Sequence, residues 1–136
     1  MNIRVYYEDT DCGGVVYYAN YLKYMERSRT EFLRELGIDQ VSYQKKGIFF
    51  VVFDAHVKYR SPARYDDLLS IESSVTELSS AAVVFETRIL RDKQLLVKGE
   101  VKLACVGPQG RAMKIPQEIR DALGNTMKKQ QLSILE

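Results

Sequence analysis

A single long helical segment stands among runs of strand-forming residues, and that imbalance limits the folds open to this chain. Over residues 19–36 the apolar side chains Tyr21, Met25, Phe32 and Leu36 recur at helical spacing, with Leu22 and Leu33 widening the stripe. Gly37 stands where a helix C-cap is expected, and Ser28 on the stripe lets another backbone come close. Elsewhere the pattern is β. Residues 3–7, 49–59, 67–77, 82–91 and 95–106 read as strands rich in Val, Ile, Phe and Tyr. Leu69, Ile71, Ser73 and Val75 alternate against Ser70, Glu72 and Ser74, and Leu95, Val97 and Gly99 against Leu96, Lys98 and Glu100. One sheet face is therefore expected to be buried and the other partly polar.

One helix covers one face of such a sheet, and the terminal strand keeps open hydrogen-bonding groups. Pairing two copies edge to edge removes them, so at least a homodimer is expected, with the site opening where the chains meet. Pro62 predicts a corner over residues 61–64, and residues 108–110 a turn. Pro116 suits the first position of a short helix over 117–123 closed by Gly124. Residues 127–136 show no core face and are expected to fray.

With 136 residues, 46% of them hydrophobic and 28% charged, residues 1–136 are expected to form one soluble α+β domain. A net charge of +2, with the basic residues dispersed, argues against a nucleic-acid partner. No apolar run nears the roughly 20 residues that span a bilayer, and the N-terminus opens on strand-like residues rather than a leader pattern. A cytoplasmic protein without a membrane span is expected. The two cysteines, Cys12 and Cys105, lie far apart and are expected to be free thiols.

Residues 7–21 read YEDTDCGGVVYYANY. Two aspartates, Asp9 and Asp11, precede a Gly13-Gly14 pair that lets the backbone turn, and the helix starts soon after. The free N–H groups and dipole at a helix start favour an electron-rich ligand atom, and an ionised aspartate beside them can attack or activate water. By spacing alone a turn or cap role for Asp11 outweighs a catalytic one, and Asp9 keeps the turn or cap role. A Cys12 nucleophile would need a base, and the one histidine, His56, is expected to face solvent or a subunit contact from its strand. One histidine and two separated cysteines make no zinc cluster, and no metal or cofactor is required.

The chain resembles the hotdog-fold acyl-CoA thioesterases. More narrowly it resembles the 4-hydroxybenzoyl-CoA thioesterase type and its bacterial subgroup encoded beside the Tol-Pal envelope machinery. The resemblance rests on RVYYEDTD at 4–11, GVVY at 14–17, ANY at 19–21, ERSR at 26–29 and YRSPARYDD at 59–67. With the strand pattern it covers about residues 3–107; DxDxxG alone would be weak. It implies a hotdog fold, in which an antiparallel sheet of about five strands wraps one long central helix, followed by a short C-terminal helix.

The resemblance also implies that Asp11 is the catalytic carboxylate and that the backbone N–H of Tyr18 polarises the thioester carbonyl. The Tol-Pal subgroup has His where this chain has Tyr18, while the 4-hydroxybenzoyl enzymes put an aromatic residue there. A backbone role therefore carries over and a histidine side-chain role does not. The implied substrate is an acyl-CoA, or an acyl group on acyl carrier protein, in a homodimer or homotetramer. Arg60 and Arg64 are candidates for the coenzyme A phosphates, and Tyr17, with Tyr18, Tyr21 and Tyr24, for the acyl pocket. Asp11 either attacks the carbonyl to form a mixed anhydride or takes a proton from an attacking water. The alternative is a non-catalytic partner of acyl carrier protein or of envelope assembly that keeps the fold. A hotdog dehydratase ranks lowest, because it needs a His paired with an acidic residue and His56 lies outside the motif.

Overall fold

The stripe of apolar residues forms the first long helix in the computed structural model, which describes residues 1–135. Helix α1 spans Asn20–Glu35 and buries Tyr21, Tyr24, Met25, Ser28 and Leu33. Gly37, at φ 81°, closes it: its N–H donates to Arg34 O at 2.9 Å and Ile38 N–H reaches Leu33 O at 3.1 Å. A residue with a Cβ resists that left-handed conformation. Leu22, expected to widen the stripe, is exposed instead. Tyr24 takes its place, because the positions three and four after Tyr21 share its face and position 22 lies about 100° away.

Five strands, β1 (Asn2–Arg4), β2 (Phe49–Tyr59), β3 (Leu68–Leu78), β4 (Ala82–Arg91) and β5 (Gln94–Val106), form one antiparallel sheet. Their order is β1-β3-β4-β5-β2, so β2 is an edge strand. Strand β1 pairs antiparallel with β3, Ile3 opposite Leu69. Asp92 and Lys93, both at positive φ, make the two-residue turn from β4 to β5, the geometry that suits the right-handed twist of paired strands. The first strand ends earlier than expected, at Arg4 rather than residue 7. The cause is Asp9: its carboxylate accepts the Tyr6 N–H at 2.9 Å and draws Tyr7–Asp9 into a single 3-10 turn. This is the cap role assigned to Asp9.

The chain packs as two compact units, and β2, β3, β4 and β5 contribute residues to both. In the first (residues 1–32, 56–73 and 86–100), Tyr21, Tyr24 and Met25 join Val5, Leu69, Ile71, Ile89 and Val97 in one core. Gly99 faces Met25 so closely that a Cβ there would lie 2.5 Å from its sulfur. Ser28 does bring the helix near the sheet, through a 2.7 Å bond to the Ser73 hydroxyl, which continues to Thr87 at 3.0 Å. Leu96 is buried, contrary to the alternation. Its carbonyl accepts the Arg60 and Ser61 N–H groups, at 2.8 and 3.1 Å, which brings the chain entering the Pro62 corner alongside. Arg29 is also buried, and burial lowers its pKa, partly opposed by Glu26.

The second unit (residues 33–55, 74–85 and those from 101 onward) holds α2 (Gln40–Lys45) and α3 (Gln117–Leu135). Asp39 caps α2 by accepting the Ser42 N–H at 3.3 Å, and Tyr43 donates to Glu118 at 2.6 Å. The C-terminal helix does not stop at Gly124. Ile119 and Leu123 are fully buried and carry it past the glycine, whose cost in a helix interior is about 1 kcal/mol. The tail expected to fray from residue 127 is helical as far as Leu135, and Glu136 lies outside the described residues. Cys105 is buried, Cys12 is exposed, and both are free. No helix among the described residues is long and apolar enough to cross a membrane.

Asp67 anchors the Pro62 corner. Its carboxylate accepts the Arg64 N–H at 2.8 Å and pairs with Arg91 at 2.7 Å. Burial pushes its pKa up, but the Arg64 N–H and the Arg91 guanidinium outweigh that and hold it below the ordinary value. A carboxylate lowered by folding stabilises the fold above the ordinary aspartate range, about 3.9, and loses that contribution as pH falls through its folded value. Asp67→Asn is accordingly expected to lower the urea midpoint at neutral pH, with the gap from wild type closing in acid below that range. A gap unchanged across the range would contradict this account of the pair.

Candidate active site

The segment around Asp11 folds as a tight hairpin. Thr10 and Val16 face each other as an antiparallel bridge, the Asp11 N–H donates to Val15 O at 2.9 Å, and the Tyr17 N–H donates to Asp9 O at 2.9 Å. At the tip, Gly14 N–H bonds Asp11 O at 3.1 Å with Gly14 at φ 79°. The exposed Asp11 carboxylate accepts the Gly13 N–H at 2.8 Å. The turn role is thus present in the side chain itself, an aspartate bonding its own backbone two residues on.

The hairpin runs into α1. The Asn20 N–H bonds Tyr17 O at 2.8 Å and the Asn20 carboxamide donates to Asp9 O at 2.8 Å. Among the described residues the Tyr18 N–H, two residues before the helix, has no hydrogen-bond acceptor. The Pro62 corner docks on the same place. Val16 N–H donates to Ala63 O at 2.8 Å, Val15 bridges Arg64, and the Ala63 N–H donates to the Tyr21 hydroxyl at 3.0 Å.

A pocket of about 250 Å³ opens there, walled by Val16, Tyr18, Tyr21, Tyr59 and Arg60 with Ser61 and Pro62. Tyr59 donates its hydroxyl to Tyr18 O at 3.2 Å and sets its ring edge-on to Tyr18, with centroids 6.5 Å apart. Tyr21 lies 5.6 Å from Tyr59. Burial raises the pKa of both Tyr21 and Tyr59, so both stay neutral phenols at physiological pH. The pocket is aromatic with one cation at its wall. It suits a ligand with an apolar part and an anionic part.

Of the residues expected at the site, Tyr18, Tyr21 and Arg60 line this pocket. Asp11 sits on the hairpin that leads to it. Tyr17 is exposed and packs its ring on Tyr18 at 4.8 Å, outside the wall. Arg64 lies beyond the corner, bridged to Val15 through its backbone. Tyr24 belongs to the core. The wall contributed by Tyr59 and Pro62 was missed as such, although YRSP at 59–62 was part of the motif; a bulky residue before an Arg-Ser-Pro corner was its signal. Asn20, also in the motif, bonds the carbonyl two residues before Asp11.

A model of the thioesterase-like superfamily matches residues 5–123. The acyl-CoA thioesterase YbgC of Haemophilus influenzae is 43% identical over 122 residues, 88% of this chain and 90% of that protein. The acyl-CoA thioester hydrolase YbgC of Escherichia coli O157:H7 is 44% identical over 107 residues, 78% of this chain and 80% of that protein. The crystal structure of a probable thioesterase from Bartonella henselae matches with a TM-score of 0.82 at 35% identity, covering 85% of this chain and 97% of that one. A strand–helix–four-strand order, a DxD hairpin docked at the start of the long helix, and matches along nearly the whole length agree: this chain belongs to the thioesterase-like superfamily, as a hotdog-fold thioester hydrolase of the YbgC type.

Proposed function

We propose that the chain hydrolyses acyl-CoA thioesters to the free acid and coenzyme A in the cytoplasm, with Asp11 acting on the carbonyl carbon and the Tyr18 backbone N–H on the carbonyl oxygen. One observation carries the reading: the hairpin bearing Asp11 is bonded at Asp9 to the first residue of α1, beside a pocket that Tyr18 lines. As the thioester carbon becomes tetrahedral its oxygen gains charge, and a fixed donor aimed at that oxygen contributes about 3 kcal/mol. The Tyr18 N–H, which bonds no acceptor among the described residues, is assigned that part.

Two routes balance. In one, an Asp11 oxygen bonds the acyl carbon, the thiolate leaves and takes up a proton, and water opens the mixed anhydride to restore Asp11. In the other, Asp11 takes a proton from water as the water attacks, and the departing thiolate takes that proton up, which restores the Asp11 carboxylate. Single turnover in heavy-oxygen water tests for the first: water that opens the anhydride at its Asp11 carbon leaves label in the Asp11 carboxylate, which the second route never does.

The Asp11→Asn variant keeps a carbonyl oxygen to accept the Gly13 N–H, so the turn survives. It is expected to melt like wild type and to lose roughly three orders of magnitude in kcat. Full activity would sink the mechanism. Loss of no activity because the wild type itself turns over no thioester, while binding acyl carrier protein, would favour the non-catalytic partner.

Arg60 lines the pocket and Arg64 does not. Both remain candidates for the coenzyme A phosphates or for an acidic face of acyl carrier protein, with Arg60 the stronger; Tyr17, its ring tilted against that of Tyr18, is assigned the pocket's rim. Arg60→Ala is expected to raise KM for acyl-CoA several-fold, about 1 kcal/mol, with kcat unchanged, because a phosphate contact binds ground and transition state alike. An unchanged KM would remove Arg60 from the site.

The working unit in this reading is a homodimer paired through β2, with two dimers able to form a tetramer. Strand β2 is an eleven-residue sheet edge that exposes Phe49, Val51, Val52 and Phe53. A long apolar edge left open is an aggregation site, and pairing with a second copy closes it. Val51→Lys with Phe53→Lys is expected to yield monomers by light scattering. A wild type already monomeric at micromolar concentration would refute the assembly.

A further inference from the structure

The Asp9 carbonyl oxygen receives two donors, the Tyr17 N–H at 2.9 Å and the Asn20 carboxamide at 2.8 Å. The first belongs to the hairpin ladder. The second joins residue 20, the start of α1, to residue 9, and so closes a loop that contains both Asp11 and Tyr18. Asp11 lies two residues inside one end of that loop and Tyr18 two residues inside the other.

Within the loop the hairpin bonds hold residues 9–17 to one another: Asp11 to Val15, Thr10 to Val16, Asp9 to Tyr17. Between that ladder and the helix lie Tyr18 and Ala19, a turn with its own bond from the Asn20 N–H to Tyr17 O. That backbone bond fixes the turn's ends and the Pro62 corner holds the hairpin's second arm at Val15 and Val16, so what remains is a tilt of the first arm, residues 9–11. A side-chain bond from the helix to the far arm of the hairpin, at Asp9, opposes that tilt. Asp9 itself is held from the other side, through the Tyr6 N–H on its carboxylate. One turn along α1, on the same face as Asn20, the hydroxyl of Tyr24 is buried near the Asp9 carboxylate, and burial first and that carboxylate second raise its pKa. Asp9 is therefore flanked by two residues of one helix face.

We propose that Asn20 is a positioning residue: its carboxamide, donating to the Asp9 carbonyl, sets the separation between the Asp11 carboxylate and the Tyr18 backbone N–H. This rests on the assignment of those two groups made above. The geometry a nucleophile or base needs is narrow, and a displacement of about 1 Å costs about a hundredfold in rate. Neither reacting group touches Asn20, and substrate binding at Arg60 does not involve it, so the effect falls on kcat.

Two variants test the clamp. Asn20→Ala deletes the donor. Asn20→Asp keeps the size, and a carboxylate in the first helical turn favours the helix, but it presents an acceptor to an acceptor. Both are expected to lose about 10- to 100-fold in kcat, corrected for the folded fraction, with KM within about twofold of wild type. Ser28→Ala, which breaks the bond to Ser73 in the same core, serves as the control: it lowers the melting temperature and leaves kcat as it is. Adding Asn20→Ala to Asp11→Asn is expected to cost nothing further, because the clamp acts through Asp11. Wild-type kcat in both Asn20 variants beside an inactive Asp11→Asn overturns the clamp and leaves the mechanism standing. Losses that track only the folded fraction, or that multiply with Asp11→Asn, also overturn it. Full activity in Asp11→Asn defeats the mechanism first, which separates the two failures.

Discussion

The phenol of Tyr21 is the contact on which the candidate site depends. Its ring is buried edge-on to Tyr24 at 6.2 Å, it faces Tyr59, and its oxygen accepts the Ala63 N–H. Burying a side chain of this size contributes about 2–3 kcal/mol, and the hydrogen bond to an otherwise orphaned backbone donor about 1 more. One residue of the helix thereby holds a corner 42 residues away in sequence. Because Ala63 O in turn accepts the Val16 N–H, the hairpin, the corner and the helix start are tied through a single rigid ring system. The pocket is the space those three leave between them.

Charge reinforces the same place. Asp67 and Arg91 pair across the corner's exit, and Arg91 also reaches Pro62 O at 3.4 Å. Arg4 donates to Asp66 O at 2.8 Å, where Asp66 takes a positive φ of 70°. A corner held by carboxylate and carbonyl acceptors keeps its backbone N–H groups engaged, which loops on a protein surface otherwise leave to water. Arg60 is the cation left facing the pocket among the residues that wall it.

Local periodicity made the architecture legible. The ends of β2 and β4 match the expected 49–59 and 82–91, and α1 differs by one residue at each end. What failed were the places where a distant partner overrides a local preference. Leu96 is polar-faced by alternation but is fully buried, and its carbonyl bonds the chain entering the Pro62 corner. Gly124 reads as a stop, yet two buried residues before it carry the helix on. Residues 5–7 have strand composition, and the Asp9 carboxylate takes the Tyr6 N–H away from the sheet. In the site, the DxD hairpin was visible because its glycines and aspartates act locally. Tyr21 was visible as a pocket candidate on the helix, but Tyr59 opposite it was not, because their meeting depends on sheet order and not on spacing.

The same geometry leaves the side chain at position 18 out of the bonds that hold its backbone in the proposed chemistry. The Tyr18 carbonyl is held by the Tyr59 hydroxyl, its neighbour Tyr17 is bonded to Asp9 through the backbone N–H, and Asn20 anchors the next turn. None of these bonds uses the side chain of residue 18. A donor supplied by the backbone at such a point keeps its direction whichever side chain it carries, while the side chain, 62% exposed here, is left to shape the pocket mouth. In the proposed mechanism the two tasks fall to different atoms of one residue: the N–H is assigned to the carbonyl oxygen, and the ring lines the pocket beside it.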